Sequence, residues 1–294
     1  MSRGGSGVRA VSVRVRELAE VSRAETATWR EELAAAYAQG YAEGRAQAAD
    51  ELERRRRRLL GVIVSDAPPK AELVASLARG VGWPLPAQVA VAALGDRLPR
   101  GDLRRGTPVT PPDVLADWTG PEPCLLVPDP DGPGRAAAIE RALRGWLAAI
   151  GPAVPLARAA VSLRWARKAL ALASGGVIAV NGAPVRCDQH LSTLLILADE
   201  DLARALRSAR LAPLARLRPG QRDRIAETLL AWLQLGENAA EVAHRMHVHP
   251  QTVRYRLRQI QELFGDQLRD PDTRFELQVA LRARRLLARA GQTC

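Results

Sequence analysis

The sequence predicts a mixed fold: an N-terminal helical segment over residues 1–60, an α/β middle domain over 61–217 and an all-α C-terminal domain over 218–294. Three observations predict it. Residues 12–60 contain no proline and are dense in Ala, Glu and Arg, a strongly helical composition. Between residues 61 and 200 short apolar runs alternate with helical periodicity. From residue 221 onward no strand pattern occurs. A chain of 294 residues can hold two or three such cores.

In the first segment Leu18, Val21, Leu33, Tyr37, Tyr41 and Leu52 are too unevenly spaced for a clean heptad, so one long helix or a helical pair is expected. The arginine run at 54–58 reads as a solvated or intersubunit helix face, with contact to phosphate or anionic lipid as the alternative. After residue 61, "AELVASLARGVG" is helical and "WPLP" punctuates the chain. Residues 88–94 are a short valine-rich strand, and 124–127 a second, buried one. A helix begins near Gly134 or Arg135, with Ile139, Leu143, Trp146, Leu147 and Ile150 at helical spacing. Residues 156–173 form another amphipathic helix, and "GGVIAVN" at 175–181 is expected as a third strand. Short helices then lead to a boundary at Pro213 and the Pro219-Gly220 turn.

In the C-terminal domain Ile225, Leu229, Trp232 and Leu233 mark one helix, stopped by Gly236. Asn238 can cap a second, with Val242, Ala243 and Met246 facing inward. Pro250 has a preset φ and no N–H, which suits the first turn of a third helix with His249 or a neighbour as cap. Pro271, followed by Phe275, Leu277, Leu281 and Leu286, opens a fourth.

The hydrophobic fraction of 47% is that of an ordinary globular protein. There is no run of 18 apolar residues, and the N-terminus lacks the apolar core of a signal peptide. A cytoplasmic protein without a membrane partner is therefore expected. Cys124, Cys187 and Cys294 are odd in number and in no metal-binding spacing, so free thiols are expected. The net charge of +11 favours an anionic partner, nucleic acid first and a membrane surface second. Nearly all of that charge is arginine, Lys70 and Lys168 being the lysines, and alanine is abundant. A genome rich in G and C would produce both biases, so the placement of the arginines carries the argument.

Placement is informative after Pro250. At about 100° per residue, Val253, Leu257, Ile260 and Phe264 fall within about 40° of one line, the core face. Gln251, Arg254, Tyr255 and Arg258 fall opposite, with Thr252 and Arg256 on the flanks. A short helix, a few residues of turn around "HVH" and a second helix with Gln, Thr, Arg and Tyr outward match a helix-turn-helix entering a major groove. Arginine can grip guanine O6 and N7, glutamine can do the same to adenine, and threonine can touch the thymine methyl. Gln251, Thr252, Arg254, Tyr255 and Arg258 are the candidates for base or backbone contact, with Arg256 and His249 on the phosphate side.

The segments "HVHPQTVRYRL", "FGD" and "DPDTRFELQVAL", within residues 228–284, resemble the C-terminal helix-turn-helix of the PucR family of bacterial transcriptional regulators, which includes the CdaR-like sugar-diacid regulators. The resemblance is long, ordered and continuous. Upstream, "ERRRRRLL", "GWPLP", "SLRWARKALALA", "HLSTLLILADEDLARAL" and "LAPL" are similar to the family's middle domain, which is related to the GGDEF fold, over roughly 53–217. The resemblance implies double-stranded DNA as partner, and upstream domains that sense a small-molecule effector or mediate self-association. A homodimer is expected because one short helix reads only a few base pairs.

No catalytic set is visible, so no enzyme and no cofactor are expected. The glycines of "GGVIAVNG" lack a following carboxylate pair, and cyclase chemistry is not expected of them. "DPDGPG" at 129–134 reads as a turn with helix caps, against a phosphate or metal site at Asp129 and Asp131. Trp83, Trp118, Trp146 and Trp165 read as core rather than as an effector pocket. Glu241, His244, His247 and His249 lack the HExxH order and read as packing, capping and phosphate contacts, not zinc ligands. Two readings compete with the regulator: a residual nucleotide-binding or cyclase activity in the middle domain, and a module that binds polyanions, an acidic protein or a membrane surface without specificity.

Overall fold

The computed structural model describes residues 5–67, 69–97, 110–236 and 238–290, with side chains for Trp29 and for residues 35–67, 69–95, 110–236 and 238–289. The chain divides into two compact units, residues 1–58 and 59–294. The first is a single helix, not a pair: α1 runs from Gly5 to Ile63. Within its arginine run, Arg54 and Arg55 both bond the Glu51 carboxylate at 2.8 Å, so these two form a solvated, internally paired face.

In the second unit the last turn of α1 and helix α2 (Ala71–Gly80) precede a mixed sheet. Its described strands are β1 (Gln88–Arg97), β2 (Leu115–Asp117), β3 (Cys124–Pro128), β4 (Trp146–Ile150), β5 (Val154–Pro155) and β6 (Val185–Arg186), in the order β2-β3-β1-β4-β6 with β5 also on β1. Central β1 pairs antiparallel with β3, β4 and β5, and β4 pairs parallel with β6. Alternation divides the side chains between two cores. Val89, Val91, Ala93, Leu115, Cys124 and Leu126 face Leu59, Leu60 and Ile63 of α1, Val74 and Ala78 of α2, and α4 (Ala159–Ser174). Ala92, Leu94, Leu125, Val127 and Ala148 face Ile139 and Leu143 around α3 (Arg135–Ala142). Burial on both faces explains why β1 and β3 read as continuous apolar runs.

Helix α4 lies close to the sheet because its inner face carries Ala159, Ser162, Ala166 and Ala169. Ser162 is fully buried; its Oγ accepts from the Val91 N–H at 2.9 Å and donates to the Pro152 carbonyl at 2.8 Å.

Two expected elements differ. The apolar series from Ile139 to Ile150 is not one helix: α3 ends at Ala142, Gly145 turns the chain with φ 84°, and residues 146–150 become β4. Over a short apolar run, helical and strand spacing coincide, and pairing with β1 decides. Nor is 175–181 a strand. Gly176 has φ 70°, and the N–H groups of Val177 and Ile178 bond back to the Leu172 carbonyl at 2.9 and 3.2 Å, closing the end of α4. The strand in that region is β6, with Val177 and Ile178 buried beside it. The expected turn at 129–134 is present, with the Gly132 N–H on the Asp129 carbonyl at 2.9 Å. Trp83 is core, its indole N–H donating to the Asp113 carbonyl at 2.7 Å, while Trp118 and Trp146 pair with centroids 6.3 Å apart. Trp165 is partly exposed and does not join them.

Helices α5 (Leu191–Ile196) and α6 (Glu200–Arg210) follow, then α7 (Pro219–Gln234), α8 (Ala239–Met246), α9 (Pro250–Phe264) and α10 (Pro271–Ala290). Residue 217 falls at the link between the 3-10 turn Ala212–Arg216 and α7. Helix α10 serves two cores: Leu277 and Leu281 pack with α7 and α9, while Ala283, Leu286 and Leu287 pack with α4, α5 and α6. The Arg210–Glu276 ion pair fixes it to α6.

Cys124 and Cys187 are buried free thiols, and burial pushes them up to about 11 and about 12. The thiolate is the nucleophile, so at about pH 8 both are expected to resist a thiol reagent until the protein unfolds. Rapid labelling of either in the native protein, mapped by mass spectrometry, would contradict this placement. Among the described residues no helix is long and apolar enough to cross a membrane.

Candidate nucleic-acid interface

The site is built on α7, α8 and α9. Helix α8 begins at Asn238, whose Oδ1 accepts from the N–H groups of Ala240 and Glu241 at 3.0 and 3.3 Å, while its Nδ2 donates to the Glu241 carboxylate at 3.1 Å. The expected cap is therefore in place. The helix ends at His247, in the left-handed region at φ 51°, with the Val248 N–H on the Ala243 carbonyl at 3.1 Å and the His247 N–H on the His244 carbonyl at 3.2 Å. This is a Schellman closure with histidine where glycine is usual. It reverses the chain within two residues and delivers His249 to the start of α9.

At His249, Nδ1 accepts from the Gln251 N–H at 3.2 Å, and Pro250 occupies the first turn. Val253 and Ile260 are 0% and 1% exposed. Val253 packs with Ala231, Val242 and Ala243 in a small core shared with Trp232, Met246, Val248 and Leu257. That apolar contact fixes the rotation of α9. It leaves Gln251, Thr252, Arg254, Tyr255 and Arg258 exposed together along the first two and a half turns. The Tyr255 hydroxyl accepts from Gln259 Nε2 at 3.0 Å, which holds the ring along the helix.

Arg256 stands apart from this group. Half-buried, it donates from Nη1 to Thr228 Oγ1 at 3.3 Å, and Thr228, fully buried on α7, donates to the Arg224 carbonyl at 2.7 Å. The flank position of 256 faces α7 rather than open solvent, so this arginine ties the recognition helix to its neighbour. His249 is exposed and acts as the helix cap. His244, on α8, and His247, in the turn, are also exposed. Among the described residues no group of three His, Cys, Asp or Glu side chains is placed to hold a metal.

The sequence reading missed a groove of about 580 Å³ between α7 and α10, lined also by Arg245 and Met246. Arg284, Arg285 and Arg289 line it, with Arg284 paired to Asp223. The signal was the arginine-rich end of α10, but its meeting with α8 is tertiary.

Substitutions at the turn test its backbone. His247→Gly is expected to be neutral or stabilising by up to about 1 kcal/mol, and His247→Val destabilising by about 1 to 2 kcal/mol, because a β-branched residue is strained at positive φ. Urea denaturation measures both, and equal stability of the two variants would contradict the left-handed turn.

A short helix capped by asparagine, a tight reversal and a second helix with an exposed Arg-rich face form a helix-turn-helix. Residues 225–283 match the PucR C-terminal helix-turn-helix domain. This PucR-type domain is the kind of element with which a transcriptional regulator binds DNA. The chain is 41% identical over 64 residues to the purine catabolism regulatory protein of Bacillus subtilis, covering 22% of this chain and 12% of that protein. It is 31% identical over 159 residues to an uncharacterized protein of Mycobacterium tuberculosis, covering 50% of this chain and 36% of that protein. The chain thus spans little more than a third of these relatives at most. Among solved structures, a regulator of polyketide synthase expression from Bifidobacterium adolescentis aligns over 80% of this chain and 98% of that chain, with TM-score 0.36 and 20% identity.

Proposed function

We propose that this chain is a sequence-specific DNA-binding transcriptional regulator of the PucR type that acts in the cytoplasm as a homodimer and catalyses no reaction. The observation that carries this reading is the exposed row Gln251, Thr252, Arg254, Tyr255 and Arg258 on a helix whose opposite face is locked against α7 and α8. These side chains can donate to base edges and phosphates, and the half-open first turn of α9 favours an anion. A twofold pair of such helices doubles the length of sequence read.

The same reading takes the sheet-containing part as a GGDEF-like module turned to sensing. What supports an effector is a pocket of about 220 Å³ with an apolar floor of Val127, Ile139 and Ile150 and two arginines at its rim. Arg135 is bidentate to Asp113 at 2.9 and 2.6 Å, and Arg186 pairs with Asp188 at 3.0 Å. A small carboxylate or phosphate compound could exchange with those acids.

Fluorescence anisotropy against the DNA upstream of the protein's own gene and against a scrambled duplex, across a salt series, tests the central claim. The expected result is binding to the upstream duplex that persists at salt concentrations where the scrambled duplex is released. Equal binding to both, lost together as salt rises, would instead describe a non-specific polyanion binder.

A further inference from the structure

The groove of about 580 Å³ between α7 and α10 has no part in the DNA reading. Its size falls within the roughly 300 to 1,000 Å³ of small-molecule sites, which are often built between the helices of a bundle. The two helices pass it antiparallel: Arg284 of α10 pairs with Asp223 of α7, and Gln278 Nε2 donates to the Leu233 carbonyl at 3.1 Å. Buried Ala226, Leu230, Ala231 and Leu281 give the groove an apolar lining, extended by half-buried Met246 from the last turn of α8. Arg245, Arg284, Arg285 and Arg289 stand about that lining against Asp223 and Glu227, a net charge of +2. Asp223 is taken up by Arg284, whereas Arg245 and Arg285 have no carboxylate partner among the described residues. Apolar surface and unmatched guanidinium groups thus share one cleft.

We propose that this groove binds a small organic anion, an apolar ring or chain carrying one carboxylate or phosphate group, with Arg245 and Arg285 holding the headgroup. The apolar lining takes the body of the ligand and gains by giving up water. The planar guanidinium groups take the headgroup through paired, charge-assisted hydrogen bonds. Glu227 and Asp223 favour this ligand over a polyanion. A polyanion laid along α7 would carry charge past both carboxylates, whereas a ligand with one headgroup carries charge only where it meets the arginines. Occupancy also bears on the recognition helix. Met246 lines the groove and packs in the small core with Val253 that sets the rotation of α9, and the next residue, His247, makes the left-handed turn. A bound anion offsets positive charge in the domain, so it is expected to weaken association with DNA. This coupling rests on the regulator reading above, and the site itself does not.

Isothermal titration calorimetry of the full chain with cinnamate and phenyl phosphate tests the site, against cinnamamide as the uncharged probe and inorganic phosphate as the headgroup without a body. Cinnamate is expected to bind one per chain, and cinnamamide and inorganic phosphate at least about tenfold more weakly, because charge-assisted hydrogen bonds and apolar contact are both needed. The double variant Arg245→Ala/Arg285→Ala is expected to bind cinnamate at least about tenfold more weakly with circular dichroism unchanged, since both side chains are exposed and alanine suits a helix. Arg186→Ala, in the sheet pocket, is expected to bind it like wild type. Failure of both cinnamate and phenyl phosphate to bind at millimolar concentration, or a double variant that holds cinnamate as tightly as wild type, would overturn the site. So would inorganic phosphate binding as tightly as cinnamate, which describes charge alone, or loss of cinnamate in Arg186→Ala, which places the anion in the sheet pocket. In the anisotropy assay saturating cinnamate is expected to weaken the upstream duplex at least about fivefold. Unchanged DNA affinity beside intact calorimetric binding would overturn the coupling alone. A protein that prefers neither duplex would overturn the regulator reading and leave the site standing.

Discussion

Gly151→Ala is expected to abolish the native fold of residues 59–294 or to lower its stability by about 3 to 5 kcal/mol, a large share of the roughly 5 to 15 kcal/mol that holds a typical domain. Gly151 follows β4, and its N–H bonds the Val91 carbonyl at 2.9 Å. A Cβ there would stand well inside 3.0 Å of the Ser162 carbonyl carbon and oxygen and of its hydroxyl. None of these atoms can give way. The carbonyl belongs to the α4 backbone, and the hydroxyl is held by Val91 and Pro152. Relief requires lifting α4 off the sheet, which would undo the close contact made by Ala159, Ala166 and Ala169. Ser162→Ala is a milder probe of the same clasp. It removes the partner of the Val91 N–H and of the Pro152 carbonyl, at an expected cost of about 2 to 4 kcal/mol. Thermal and urea denaturation read both variants. A Gly151→Ala protein as stable as wild type would show that α4 does not lie where the structure places it.

The second large effect is on DNA. Arg254→Ala and Arg258→Ala are each expected to weaken binding to the cognate duplex by about 1 to 3 kcal/mol, roughly 5- to 150-fold, with the fold intact because both side chains are exposed. If one of them touches only phosphate, its loss should weaken cognate and scrambled duplexes alike and reduce the salt dependence. Arg256→Ala provides the contrast. Its guanidinium bonds buried Thr228, so the expected loss is about 1 kcal/mol of stability, with DNA binding affected through the mobility of α9. Denaturation and anisotropy on the same three proteins separate the roles. Unchanged cognate affinity in both Arg254→Ala and Arg258→Ala would remove α9 as the reading head.

The C-terminal helices were legible because their signals are local. Asn238, His249 and Pro250 act within three residues of themselves, and the apolar spacing of Val253, Leu257, Ile260 and Phe264 belongs to one helix. The face of α9 that presents Arg254 and Arg258 follows from that spacing alone. The orientation of Arg256 did not follow, because its partner Thr228 is 28 residues away. The sheet was half legible. Strands β1 and β3 are long and apolar enough to declare themselves, whereas β2 and β6 are three and two residues long and exist only through pairing with β3 and β4.

By itself the sequence determined the helical character of residues 12–60, the caps and turns of the C-terminal domain, the two central strands and the sorting of charge on α9. All of these depend on backbone propensity, capping or periodicity within a few residues. Only the tertiary structure decided that residues 146–150 pair as a strand, that 175–181 close a helix, that Ser162 and Gly151 interlock, and that α10 is shared between two cores. In each of these the deciding partner is distant in the chain or lies across an element boundary. Packing and hydrogen-bond satisfaction between such partners outweigh local preferences that differ by less than about 1 kcal/mol per residue.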